Sequence, residues 1–198
     1  MNTTRKLTVL LALGAAAIPA TVYAASTNID ATAEFRGAIT LGNEVDMDFG
    51  TIEYSAAPAA GDTIALGTNG AITSGGNFSG PATGTAGSVD VTAGSDGVVV
   101  EIFCDATATM AETGGGTIDV TSIEVATEGN EAAAGSANAC QGMSTAATTM
   151  TLDISGGSAD RIVLGGTIDG STASSFVAGS YSTATAGGDN IQIDVTYQ

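Results

Sequence analysis

The strongest constraint on this chain is a spacing it never uses. No run keeps its apolar side chains at the 3.6-residue period of a helix. Short runs alternate instead, and turn-rich stretches separate them. The clearest closes the chain, DNIQIDVTYQ. Ile191, Ile193, Val195 and Tyr197 fall on one side, and Asn190, Gln192, Asp194 and Thr196 on the other. Strict period-2 alternation is the mark of a half-buried strand. Chain ends fray unless something ties them down. A pattern that runs to the penultimate residue therefore predicts a paired closing strand.

The same period recurs upstream. In NIDATAEFRGAITL, one parity holds Ile29, Ala31, Ala33, Phe35, Gly37, Ile39 and Leu41. This run is longer than a usual strand, so it is expected to split near Gly37 into two strand segments. VDMDFGTIEY turns Val45, Met47 and Phe49 inward, then slips to Ile52 and Tyr54 at Gly50, which reads as a bulge or bend. GVVVEIFC (97–104) is apolar on both parities apart from Glu101, so it predicts a central strand covered on both faces. GTIDVTSIEVAT (116–127), TMTLDIS (149–155), DRIVLGGTI (160–168) and SFVAGSYSTATA (175–186) are further patterned runs. Residues 55–96 read as loop-rich, with brief strands at DTIAL and SVDVT. A helical turn could form only within 128–142, where Gly129, Gly135 and Gly142 interrupt it. Many short strands with glycine-rich turns predict an all-β sandwich or barrel in one domain. A β-solenoid is the alternative that the Ala, Gly and Thr content raises, although no fixed period links the runs.

The chain opens MNTTRKLTVLLALGAAAIPATVYAAS. Arg5 and Lys6 precede an apolar run from Leu7 to Ile18, and Val22 and Ala24 occupy the −3 and −1 places of a cleavage site. This predicts a secretory signal peptide over residues 1–24. The apolar run is too short for a bilayer, which needs about 20 residues. On that reading 174 of the 198 residues are exported, and no membrane insertion follows. The exported part keeps Arg36 and Arg161 against 21 acids, two positive charges against 21 negative, or −19. Phosphate binding needs clustered cations, so a nucleic-acid partner is excluded. Two cysteines bound for an oxidising compartment predict a Cys104–Cys140 disulfide.

Catalytic chemistry finds little to work with. There is no His, and the only Lys lies in the signal segment. A Ser-His-Asp triad, a Schiff-base amine and the usual zinc ligands are therefore missing. Asp46 and Asp48 share one strand face and read as solvated surface. The expectation is a non-enzymatic protein with no catalytic residue, no cofactor and no metal site. Calcium is a weak candidate: GGSAD (156–160) and GGD (187–189) carry one acid each, and no EF-hand-type loop is present. The glycine clusters at 75–76 and 114–116 read as turns.

The two best-alternating segments lie at the two ends, which suits intermolecular strand pairing. Three stretches carry a resemblance: AEFRGAIT (33–40), VDMDFGTIEYS (45–55) and VAGSYSTATAGGDNIQIDVTYQ (177–198). The chain resembles the small exported subunits of chaperone–usher fimbriae. Within these it is similar to the archaic branch of spore-coat-protein-U-like pilins and to related exported bacterial domains of unknown function. The resemblance implies an immunoglobulin-like sandwich lacking one strand over 37–198, behind an N-terminal extension over 25–36. It implies that Ile29, Ala31, Ala33 and Phe35 form a donor strand for the next subunit, and that Ile191 to Tyr197 borders the open groove. The partners implied are copies of this chain, a periplasmic chaperone and an outer-membrane usher. The location implied is the cell surface or extracellular space, reached through the periplasm. The alternative is a monomeric surface module binding calcium or glycan, with Ile29–Phe35 as its own first strand.

Overall fold

The structure is a computed structural model and describes residues 32–157 and 159–198. The chain divides into two units, Met1–Glu34 and Phe35–Gln198. In the first, the described residues 32–34 are exposed and belong to no strand. The signal-peptide reading and the donor positions Ile29 and Ala31 lie outside the described residues.

The second unit is a β-sandwich of antiparallel, open sheets. The large sheet is organised by β12 (Asp160–Ser174). One edge of β12 pairs along β9 (Thr117–Thr127). The other edge is shared: β6 (Gly87–Ala93) lies opposite Asp160–Leu164, and β3 (Thr63–Leu66) lies opposite Gly166–Asp169. The handover falls at Gly165 and Gly166. A Cβ on Gly165 would meet the Leu66 carbonyl, and one on Gly166 would come 2.8 Å from the Val120 side chain. Strands β1 (Thr40–Val45), β4 (Ile72–Gly75), β8 (Ala108–Ala111) and β10 (Asn138–Ala139) complete this sheet by pairing with β6, β3, β9 and β9. A two-stranded ribbon joins β2 (Glu53–Tyr54) to β5 (Phe78–Ser79).

The opposing sheet has three strands in the order β11 (Thr148–Thr151), β7 (Val99–Cys104), β13 (Ile193–Tyr197). The two inner faces meet in one core. Ile64, Leu66, Ile123 and Ile162 reach it from the large sheet, and Val100 and Ile102 from the small one. Full burial of each such side chain contributes about 1.5–3 kcal/mol. Cys104 ends β7 and Cys140 follows β10, and their disulfide ties the two sheets together across 36 residues of chain.

Several expectations are corrected. The ladders are antiparallel, so the solenoid alternative is set aside. The run 28–41 does not yield two strands in its described part: residues 32–39 belong to no strand, and β1 starts at Thr40. Phe35 is 93% exposed because no sheet of its own chain lies under that face. Val45 does not turn inward and is 46% exposed, whereas Met47 is half-buried and Phe49 buried. At Gly50, of the two readings bulge or bend, the bulge is set aside: the residue lies outside any strand, its φ is 71°, and its amide donates to Asp48 Oδ1. In β7, Val100, Ile102 and Cys104 are buried, but Val99, Glu101 and Phe103 are only half-buried, so one face alone is fully covered. Residues 175–186 form turns with a single bridge, Ser182 to Ala111, because only isolated side chains there reach the core. No helical turn forms within 128–142.

Candidate functional site

The closing strand β13 lies at the edge of the small sheet. It pairs antiparallel with β7, with Val195 opposite Ile102. Asp105 donates its amide to the Gln192 carbonyl at 3.1 Å, and Gln198 donates to the Val99 carbonyl at 3.2 Å. Hydrogen-bonded pairs alternate in an antiparallel ladder. Residues 192, 194, 196 and 198 therefore face β7. The amides and carbonyls of Ile193, Val195 and Tyr197 point to the open edge, and among the described residues they have no partner. The side chains of this same set point inward: Val195 is buried, and Ile191, Ile193 and Tyr197 are half-buried.

Tyr197 explains why the strand does not fray. Its hydroxyl donates to the Gly37 carbonyl at 2.6 Å and accepts from the Ser95 amide at 2.7 Å. Gly37 in turn donates to Ser95 Oγ at 2.7 Å. The Arg36 guanidinium lies 5.3 Å from the centre of the Tyr197 ring and donates to the Gln198 carbonyl at 3.2 Å. This clasp fixes where the chain enters the sandwich.

A groove begins beside the open edge. The small sheet is too narrow to cover the whole inner face of the large one. Its first lobe, about 700 Å³, is floored by Val89, Val120 and Leu164 and bordered by Ile191 and Ile193. Its second lobe, about 480 Å³, is floored by Ile118 and Ile168. Met47, Asp48, Phe49, Met110 and Tyr181 line both, so they form a waist between the lobes. Leu164 and Ile168 are both on β12, so the groove runs along that strand. Residues 44–54 make one wall. Residues 176–184 and 190–193 make the other.

The second lobe is aromatic. Five of the eight aromatic side chains beyond residue 32 line it: Phe49, Tyr54, Phe78, Phe176 and Tyr181. Phe176 stacks on Tyr181 with ring centres 5.2 Å apart and planes at 11°, and Tyr54 meets Phe176 edge-on at 85°. Lobes of this size and lining are typical of recognition clefts.

The ionisable groups with shifted equilibria lie elsewhere. Asp62 is buried, and the amides of Asn77 and Ala59 hold its carboxyl below the usual range. Asp90 accepts from Arg161 Nε at 2.9 Å and from Asn43 Nδ2 at 3.0 Å, which lowers it too. Burial pushes Glu124 up. Its Oε2 accepts from the amides of Gly135 and Ala137, and its Oε1 has no partner. Among the described residues no three acids or cysteines converge as they would around a metal ion.

Of the nominated site residues, the structure places Ile193, Val195 and Tyr197 on the inner face of β13 and Ile191 just before it, and Ile191 and Ile193 border the groove. It joins Cys104 to Cys140. Ala33 and Phe35 are exposed and unpaired. The groove walls went unread in the sequence. Their one signal is the concentration of scarce aromatics in turn-rich segments. Comparison of the chain with protein-family models, with curated proteins and with solved structures finds no match. No helix among the described residues is long and apolar enough to cross a membrane. With the disulfide, this is compatible with export.

Proposed function

We propose that this protein is a structural, non-enzymatic subunit of an exported surface filament, assembled when a segment of one copy adds as a strand to β13 of the next. The observation that carries the reading is the open edge of β13 beside a groove whose floor is apolar, at Val89, Val120 and Leu164. An alternating segment, 29–35, lies at the other end of the same chain, and its described part belongs to no strand. The three edge residues offer six main-chain groups. Six hydrogen bonds at about 0.5–1.5 kcal/mol each would contribute about 3–9 kcal/mol. Burial of alternate side chains would add to this. The resemblance to chaperone–usher subunits supports the same assignment. On it, the partners are further copies of the chain, a periplasmic chaperone that occupies the edge before assembly, and an outer-membrane usher.

The test compares the chain from Ala25 with one lacking residues 25–35, by size-exclusion chromatography with light scattering. The expected result is multimers from the intact chain and a folded monomer from the shortened one. An intact chain that stays monomeric and a shortened one that unfolds would instead make Ile29–Phe35 the domain's own strand, and the proposal would be abandoned.

A further inference from the structure

The walls of the aromatic lobe are held in place from two sides. Ser182 and Ala111 of β8 exchange amide-to-carbonyl hydrogen bonds, each 3.0 Å. The Tyr181 hydroxyl accepts from the Val177 amide and donates to the Val177 carbonyl, each at 3.0 Å. The segment 177–182 is thus closed on itself and pinned to β8, and Phe176 lies stacked on Tyr181. Tyr54 stands at 85° to Phe176, and its strand β2 pairs it with the buried Phe78. Rings held at right angles make two sides of a box. A box already formed needs little ordering when a ligand enters.

Charge decides what such a box takes. The wall 44–54 carries Glu44, Asp46, Asp48 and Glu53 and no base, and the facing segment 176–184 carries no charge. Asp48 lines the lobe itself. Beyond residue 24 the chain has 21 acids and two bases, a field that draws cations. Both bases are engaged elsewhere: Arg36 lies over Tyr197, and Arg161 is bonded to Asp90.

We propose that the aromatic lobe binds a quaternary ammonium group, as in free choline. Ring faces attract a cation held within about 6 Å of their centres. A primary ammonium would also bring N–H donors that need acceptors. Two acceptors in the lobe are already in use, the Tyr181 hydroxyl on Val177 and Asp48 Oδ1 on the Gly50 amide at 2.7 Å. A methylated nitrogen has no such donor, and it suits ring faces and the soft thioethers of Met47 and Met110. A sugar would call for carboxamide or basic side chains around its hydroxyls, and among the described residues no Asn, Gln, Arg or Lys lines the lobe. The phosphate of a phosphocholine headgroup would meet the acidic wall, so the ligand is the free cation. The lobe, about 480 Å³, is within the usual size of small-molecule sites, about 300–1,000 Å³. No residue of β13 lines it, so this inference stands apart from strand addition at that edge.

Tyr54 and Tyr181 are two of the three tyrosines beyond residue 24, and there is no tryptophan, so tyrosine emission reports on the lobe. The experiment titrates the chain from Ala25 with choline, following that emission and the choline methyl NMR line. Saturable binding in the millimolar range is expected, weakening as salt is added. The neutral carbon isostere 3,3-dimethylbutan-1-ol, and phosphocholine, are each expected to bind about ten-fold more weakly or worse. Tyr54 is 41% exposed, so its replacement leaves the core intact. Tyr54→Leu is expected to weaken choline binding about three- to ten-fold, and Tyr54→Phe, which keeps the ring, to restore most of it. No saturable binding of choline overturns the proposal. Equal binding of the neutral isostere overturns it too, by making the lobe a merely apolar cleft. Phosphocholine binding as tightly as choline overturns the assignment to the free cation. Unchanged choline binding by both Tyr54→Leu and Phe176→Leu would place the cation elsewhere and overturn the site.

Discussion

The Cys104–Cys140 bond should be a major single support of the sandwich, and its worth can be worked from its place in the chain. It closes a 36-residue loop. In the chain-entropy model a loop of that length removes about 13 cal/mol/K from the unfolded ensemble, or about 4 kcal/mol at 25 °C. The native state should change little on reduction. Cys140 donates its amide to the Ile123 carbonyl at 2.8 Å, and Gly142 donates to the Cys104 carbonyl at 3.0 Å, so the backbones around both cysteines keep other links. Both sulfur-bearing residues are buried, so a reductant reaches them only through unfolding. The assay is therefore to reduce the protein in denaturant, refold it with reductant present, and melt it beside the oxidised form. At about 2–4 °C per kcal/mol for a domain of this size, Tm should fall by roughly 8–16 °C. The urea m-value should rise, because the uncrosslinked chain unfolds to a more exposed state. A fall of less than about 3 °C with an unchanged m-value would refute the reasoning and show an unfolded state already compact around this loop.

Two further outcomes are expected. Glu124 is raised above its ordinary value of 4.5, so its unfolded form ionises first and stability drains away as pH rises from 4.5 to the folded value. Asp90, held below its ordinary 3.8, contributes stability above that pH and loses it as pH falls through the folded value. Urea titrations from pH 3 to pH 8 should show Glu124→Gln gaining on wild type as pH rises above about 4.5, and curves that stay parallel would remove Glu124 as the cause. Gly165→Ala should cost about 1–3 kcal/mol or more in urea unfolding, since the new methyl meets main-chain atoms of Leu66, Gly67 and Thr68 that cannot rotate away; a neutral result would mean β3 and β12 can separate freely there.

Strand identity was largely legible, because alternation is a local property. The cores of β3, β6, β7, β9 and β13 all sit in runs read from spacing alone. What failed depended on residues far away in sequence. The run read at 160–168 passes through Gly165 and Gly166, but nothing in it says why two glycines sit inside β12. They are there because the Leu66–Thr68 backbone crowds Gly165 and the Val120 side chain crowds Gly166, and no neighbour in sequence announces it. SFVAGSYSTATA alternates as well as some true strands, but its partner edge is only the single bridge at Ala111. The aromatic lobe was illegible for the same reason: Tyr54 and Phe176 are brought edge to face from distant segments.

Alternation also states less than it first suggests. It says that one face of a segment is suited to burial, and it is silent about whose core will bury it. At Ile191–Tyr197 the answer lies within the chain, since Ile102 stands opposite Val195 and the Tyr197 hydroxyl is held from two sides. At Ala33 and Phe35 the same period leaves the side chains exposed. A sheet of eight strands faced by one of three leaves part of its inner face for another strand to cover. The described residues before Thr40 belong to no strand, the outer edge of β13 is open, and the clasp at Gly37 holds the entry to the sandwich. On the proposed function, completion falls between molecules rather than within one.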